Sequence, residues 1–264
     1  MGTALVTGAT SGIGLEMAWQ LAAAQHRLVL VARSLDRLEM VAEQIRAAAG
    51  VEVEVLAADV GTVEGRDVVV ERLRRAERPV GLLVNNAGFT PGQSLVGGDL
   101  ALEEEALDVM VRAVLVLSKA AAEAMVERGR GAILNVSSVS AFTVMGTYAA
   151  AKAWVLTFTE ALAAELRGTG VTATALCPGL VRTEFHDRAG LDAAAWPEAG
   201  WVDIDRVAAA GLRAVRRGDV VVVPSLRYAT LATLLRHAPR AFVRAVAGPG
   251  TSRRAIVQDR FPRR

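Results

Sequence analysis

Tyr148 and Lys152 stand four residues apart in the stretch NVSSVSAFTVMGTYAAAK at 135–152. On a helix over 149–166 their side chains share one face, about one turn apart. A phenol ionises near ~10, so alone it is a poor acid or base at neutral pH. An ammonium held beside it favours the phenolate and makes it a usable proton carrier. Ser138 closes the apolar run 132–136 and is placed to orient a carbonyl toward that phenol, with Ser137 and Ser140 as the alternatives. Ser, Tyr and Lys so arranged can protonate a carbonyl oxygen while a hydride arrives from elsewhere. Only two lysines, Lys119 and Lys152, occur among 30 basic residues. That choice favours a compact ammonium over a planar guanidinium at position 152. A Tyr and a Lys at this spacing also occur by chance on solvated helices, so the reading rests on what surrounds them.

The surrounding chain alternates strand and helix. Residues 3–7 form a short apolar run that enters a turn with Gly8, Thr10, Ser11, Gly12, Ile13 and Gly14, then leaves as a helix with Leu15, Ala18, Leu21 and Ala22 at helical spacing. Glycines allow close backbone approach to a pyrophosphate, and the helix N-terminus offers free N–H groups to the anion. A second strand over 26–32 ends at Arg33, where an acid would bind a ribose 2′-hydroxyl. A cation there suits a 2′-phosphate, so NADP(H) is expected ahead of NAD(H). A third strand over 51–57 leads to Asp59, placed to reach an adenine edge. A fourth over 79–84 leads to Asn85-Asn86-Ala87-Gly88, whose amides can tie neighbouring loops while Gly88 leaves room for a cofactor.

Asp99 is expected to cap a long helical region to 128. The sixth strand, 171–176, runs into Cys177-Pro178-Gly179, followed by Val181 and Thr183. Residues 184–202 break periodicity and carry Phe185, Trp196 and Trp201, the character of a binding wall or lid. Helix over 205–217, strand over 219–223 and helix over 226–246 complete the pattern. It predicts a single-domain α/β Rossmann-type doubly wound parallel sheet of about seven strands over 1–247, in the order 3-2-1-4-5-6-7, with helices on both faces. Gly12, Asn85, Ser138 and Pro178 all fall at the C-terminal strand ends, where such sheets bind ligands.

Composition narrows the classes. A formal net charge of +2 gives no case for a nucleic-acid surface. One cysteine, Cys177, excludes an intrachain disulfide, and His26, His186 and His237 are too scattered for a metal site. No apolar run reaches membrane-spanning length, so a cytoplasmic protein without a transmembrane segment is expected. From Arg236 onward eight arginines face one acid, Asp259, and the tail 248–264 is expected to be flexible. Leu231, Leu234, Leu235, Ala238, Phe242, Val243 and Val246 with Arg236, Arg240 and Arg244 make 226–246 a basic amphipathic helix. Packing on its own core or a partner subunit is favoured over an anionic membrane or lipid substrate.

The motifs TGATSGIG at 7–14, Asp59-Val60, NNAG at 85–88, Ser138 with Tyr148-x-x-x-Lys152, and Pro178-Gly179 with Thr183 resemble those of the short-chain dehydrogenase/reductases over essentially the whole chain. The resemblance implies Tyr148 as general acid, Ser138 orienting the substrate carbonyl, and Lys152 binding the nicotinamide ribose and lowering the Tyr148 pKa. It also implies a cofactor site including Val60, Ala87, Gly179 and Val181, a homodimer or homotetramer, and a substrate loop at 184–202. Met110, Ser140, Phe185, Trp196 and Trp201 are then expected to line the substrate. Two departures stand out. The family's helical Asn is replaced by Met110, whose thioether donates no hydrogen bond. Ser138 also lies ten residues before Tyr148, a shorter separation than the family usually shows. The expected function is an NADPH-dependent carbonyl reductase or alcohol dehydrogenase acting on an apolar substrate. The alternatives are an NADPH-binding sensor or scaffold, or a biosynthetic enzyme with altered chemistry.

Overall fold

The computed structural model describes residues 2–184 and 198–248. β1 (Thr3–Thr7) is buried along its whole length. Its side chains alternate between two cores, Ala4 and Val6 entering one and Leu5 the other. A strand apolar on both faces belongs inside a parallel sheet covered by helices. β1 accordingly pairs in parallel with β2 (Arg27–Ala32) on one side and β4 (Val80–Asn85) on the other. β3 (Val53–Ala57), β5 (Gly131–Val136) and β6 (Val171–Leu176) extend the sheet. β7 (Leu180–Val181) and β8 (Trp201–Val202) form a separate two-stranded parallel ladder, and β9 (Val221–Val222) closes the main sheet. The seven-stranded order is β3-β2-β1-β4-β5-β6-β9, the doubly wound order expected from the strand pattern.

α1 (Gly12–Ala23) and α2 (Leu35–Ala49) cover one face. α3 (Val63–Arg74), then α5 (Ala113–Glu127) and α6 (Gly146–Glu165), cover the other, with α4 (Leu100–Leu107) leading into α5. α7 (Ile204–Arg217) joins the first face. Their starts follow local chemistry: the side chains of Ser34, Thr62 and Asp99 accept backbone N–H groups of Arg37, Gly65 and Ala101. Gly50 and Gly218 end α2 and α7 in the left-handed conformation.

Three elements differ from the sequence reading. The helical region after Asp99 contains a π-helical turn, Asp108–Arg112, between α4 and α5. The strand expected over 219–223 is only two residues long. The helix expected over 226–246 is two, α8 (Leu226–His237) and α9 (Arg240–Val246). Pro239 disfavours a helical conformation in the residue before it, and Ala238 is extended, with ψ 145°. The apolar side chains of this region divide as well. Ala232, Leu235 and Val243 pack on Phe142, Leu156 and Cys177, while Leu231, Leu234, Phe242 and Val246 are exposed. Among the described residues no helix is long and apolar enough to cross a membrane.

A buried polar seam ties the central strands to the helices. Asn85 Nδ2 donates to Asn135 Oδ1 at 2.9 Å and to Ser118 Oγ at 3.1 Å, and Asn135 Nδ2 donates to Thr159 Oγ1 at 3.0 Å. β4, β5, α5 and α6 thereby share one satisfied network, which fixes their mutual register where apolar packing alone is non-directional.

Candidate active site

α6 carries Tyr148 and Lys152 on its first turns, beginning three residues earlier than the sequence reading placed it. Lys152 is 5% exposed, and its ammonium donates to Val136 O at 2.9 Å and lies 5.7 Å from the centre of the Tyr148 ring. Burial pushes the Lys152 pKa down to about 8, partly offset by the charge interaction with Cys177. Burial pushes the Tyr148 phenol up to about 12, and a hydrogen bond with Ser138 draws it back. Desolvation therefore outweighs the Ser138 hydrogen bond.

The three serines separate cleanly. Ser137 donates from Oγ to Lys152 O at 2.7 Å, so its hydroxyl is spent in docking α6 on β5. Ser138 accepts the Ser140 N–H at 3.1 Å and bonds Tyr148. The connection between them contains a 3₁₀ turn, Val139–Phe142, and leaves Ser138 beside Tyr148.

Gly88 approaches from β4. A Cβ added there would lie 3.3 Å from Met110 Cγ and 3.5 Å from Lys152 Nζ. Met110 is 1% exposed, sits in the π-helical turn, and packs with Ala106, Ala151, Phe89 and Tyr148. Met110 thus places a buried thioether against the site.

The glycine turn lies on the same side of the sheet. Ser11 is the extended N-cap of α1, Thr10 is half-buried in the turn, and Ile13 packs on the core. Gly8 has φ +65°, and a Cβ there would meet Asn86 Nδ2 and Ala87. Asn86 in turn donates to Thr7 O at 3.0 Å and Gly8 O at 3.2 Å, while Thr7 Oγ1 accepts the N–H groups of Asn86 and Ala87. Gly14 packs against the same Asn86 side chain. Gly12, φ +55°, faces Thr183 across the crevice. Asn85, expected at the cofactor, points instead into the polar seam, because only an interior partner can satisfy its buried amide.

Asp59 Oδ1 accepts the Gly61 N–H at 2.9 Å. The side chains of Val60 and Val181 belong to the core. Pro178 O accepts the Val139 N–H at 2.9 Å, linking its turn to the Ser138 segment. Arg33 is exposed and lies 3.6 Å from Glu105. Phe185 and Trp196 lie outside the described residues. Trp201 is in β8 with the Arg182 guanidinium 5.0 Å from its ring, and it lines a cavity of 320 Å³ with Asp203, Arg206 and Leu226 that includes none of Ser138, Tyr148 and Lys152. Strand pairing with Leu180 turns it there. A 580 Å³ cavity opens at the opposite end of the sheet, where Arg72 pairs with Glu54 and Arg78 with Glu52, and it too holds no site residue.

Three residues escaped the sequence reading. Arg37, on the first turn of α2, pairs with Glu184 at 3.2 Å and adds a second cation near Arg33. Arg66 Nη1 donates to Val60 O at 3.0 Å and Gly61 O at 2.8 Å, bracing the Asp59 turn. The Tyr228 ring fills the space a Cβ on Gly179 would need, and its hydroxyl donates to Gly200 O at 2.8 Å. Only the Arg37 signal, a second arginine four residues after Arg33, was visible in the chain.

The sheet order and the residues gathered at its C-terminal edge define a dinucleotide-dependent oxidoreductase architecture. The chain belongs to the short-chain dehydrogenase/reductase family: a family profile described as short chain dehydrogenase matches residues 2–193. It is 37% identical over 188 residues to a short chain dehydrogenase of Pseudocercospora fijiensis, a match spanning 69% of this chain and 60% of that relative. A short-chain dehydrogenase from Sphingobium yanoikuyae in complex with NADPH superimposes with a TM-score of 0.82 and 35% identity, covering 91% of this chain and 98% of the other. The bulky-bulky ketone specific alcohol dehydrogenase from Comamonas testosteroni gives a TM-score of 0.78 and 29% identity over 91% and 96% of the two chains.

Proposed function

We propose that this protein is a carbonyl reductase, or in reverse an alcohol dehydrogenase, that prefers NADP(H) over NAD(H) and acts on an apolar ketone or alcohol. The observation carrying the proposal is the convergence of Ser138, Tyr148 and Lys152 beside Gly88 at the C-terminal edge of the sheet. The residues present fit a dinucleotide. The left-handed Gly12 opens the N-terminus of α1 to a pyrophosphate, and exposed Arg33 and Arg37 suit a 2′-phosphate. A bound reduced nicotinamide supplies the hydride. The Ser138 and Tyr148 hydroxyls hold the substrate carbonyl oxygen, and Tyr148 donates the proton that completes the alcohol. Lys152, anchored on Val136 O, holds positive charge beside that proton transfer. The NADPH complex of the Sphingobium relative and the ketone specificity of the Comamonas relative support the cofactor and substrate class. Assembly as a homodimer or homotetramer belongs to the same reading.

Met110 favours a second reading, in which the protein binds NADPH but has left simple carbonyl reduction. Fluorescence titration with NADPH and NADH, followed by a panel of apolar ketones, separates the two. Tighter NADPH binding with wild-type turnover supports the reductase. NADPH binding with turnover only in Met110→Asn supports the second reading, and no dinucleotide binding contradicts both.

A further inference from the structure

We propose that α8 and α9 form a docking face for anionic lipid bilayers. Leu226, Leu234 and Phe242 are 84%, 64% and 56% exposed, and Leu231 and Val246 stand exposed beside them. Apolar side chains so exposed on consecutive helices mark an interaction surface. Its charge selects the partner. Arg236, Arg240 and Arg244 flank these residues, and no acid occurs anywhere from Val220 to Gln258. Arg236 pairs with Glu160 of α6 at 3.0 Å.

A second copy docked about a twofold axis would set this acid-free row of arginines against itself. A bilayer with anionic headgroups offers the opposite charge and an apolar interior together. The inner side of both helices is held in place. Ala232, Leu235 and Val243 pack on Phe142, Ala175 and Cys177, and Val144 N donates to Ala247 O at 3.2 Å. Phe142 and Val144 belong to the connection between Ser138 and Tyr148, so docking brings that connection close to the lipid surface. The docking face stands without the reductase reading; a lipid-dissolved substrate would rest on it.

The test is cosedimentation of the full-length protein with vesicles of phosphatidylcholine alone or mixed with phosphatidylglycerol, without cofactor or substrate. Binding to the anionic vesicles only, weakening as salt rises, is expected. Each surface arginine contributes about fivefold to such partitioning, so Arg240→Glu with Arg244→Glu lowers it by about 25-fold or more. Leu234→Ser with Phe242→Ser also releases the protein, with its melting temperature and NADPH affinity unchanged. No binding, equal binding to neutral vesicles, or binding indifferent to both pairs of substitutions overturns the proposal. So does a wild-type dimer that the Leu234→Ser, Phe242→Ser variant converts to monomer, which would assign the face to a second copy.

Discussion

At Tyr148 two effects oppose each other, and burial is the larger. The phenol is pushed up to about 12 while Lys152 falls to about 8. At neutral pH Tyr148 is therefore a proton donor, the form that carbonyl reduction needs, whereas alcohol oxidation needs the phenolate. Oxidation is expected to rise with pH between 7 and 10 more steeply than reduction falls. The linkage to stability has the matching sign. Between its ordinary value of 10.0 and about 12, Tyr148 holds a proton only in the folded state, so its contribution is present below 10 and lost as pH rises through that window. Lys152 acts oppositely, stability rising with pH from about 8 to its ordinary 10.5. The chain has two tyrosines. The absorbance difference between wild type and Tyr148→Phe should thus stay flat to pH 10, and a phenolate step below pH 9 would contradict the dominance of burial.

At the scale of elements, α8 reaches the crevice through Tyr228. Its ring rests on Gly179 and its hydroxyl holds Gly200 O, where the chain returns toward β8. β7 and β8 pair at the same place, and Arg182 pairs with Glu198. Tyr228→Phe removes one hydrogen bond of about 1 kcal/mol but keeps the packing. A rise in KM of about threefold to tenfold with kcat and NADPH affinity little changed is expected; an unchanged KM would mean that Gly200 is held without Tyr228. This clamp was illegible in the chain because Tyr228 lies far in sequence from both Gly179 and Gly200, and a tyrosine at helical spacing reads as ordinary packing. Asn85 was misplaced for a related reason: its position at a strand tip is legible, but its inward partner Asn135 is fifty residues away. The site core was legible because Ser138, Tyr148 and Lys152 are local in sequence, joined by one strand end and one helix turn. The split of α8 from α9 was also available in Pro239, whose effect on Ala238 is local.

Across the whole molecule, strand-helix alternation set the sheet order, and the order set where ligands gather. Glycine turn, Gly88, the Ser138 segment and Pro178 come from β1, β4, β5 and β6, which are consecutive neighbours in the sheet. The fold was readable because the central strands β1, β2, β4 and β5 are apolar on both faces and helices lie between successive strands of the main sheet, leaving few parallel arrangements. What periodicity could not convey is which face of the C-terminal helices is covered, since both faces of α8 carry leucine. The central claim is that Tyr148 delivers the proton in NADPH-dependent reduction of an apolar ketone. Its most direct test follows NADPH oxidation at saturating cofactor by wild type and by Tyr148→Phe over one set of bulky ketones. The account predicts turnover by the wild type and a loss of about 10²–10⁴-fold in kcat for Tyr148→Phe, with NADPH affinity kept. Equal turnover by the two proteins would contradict it.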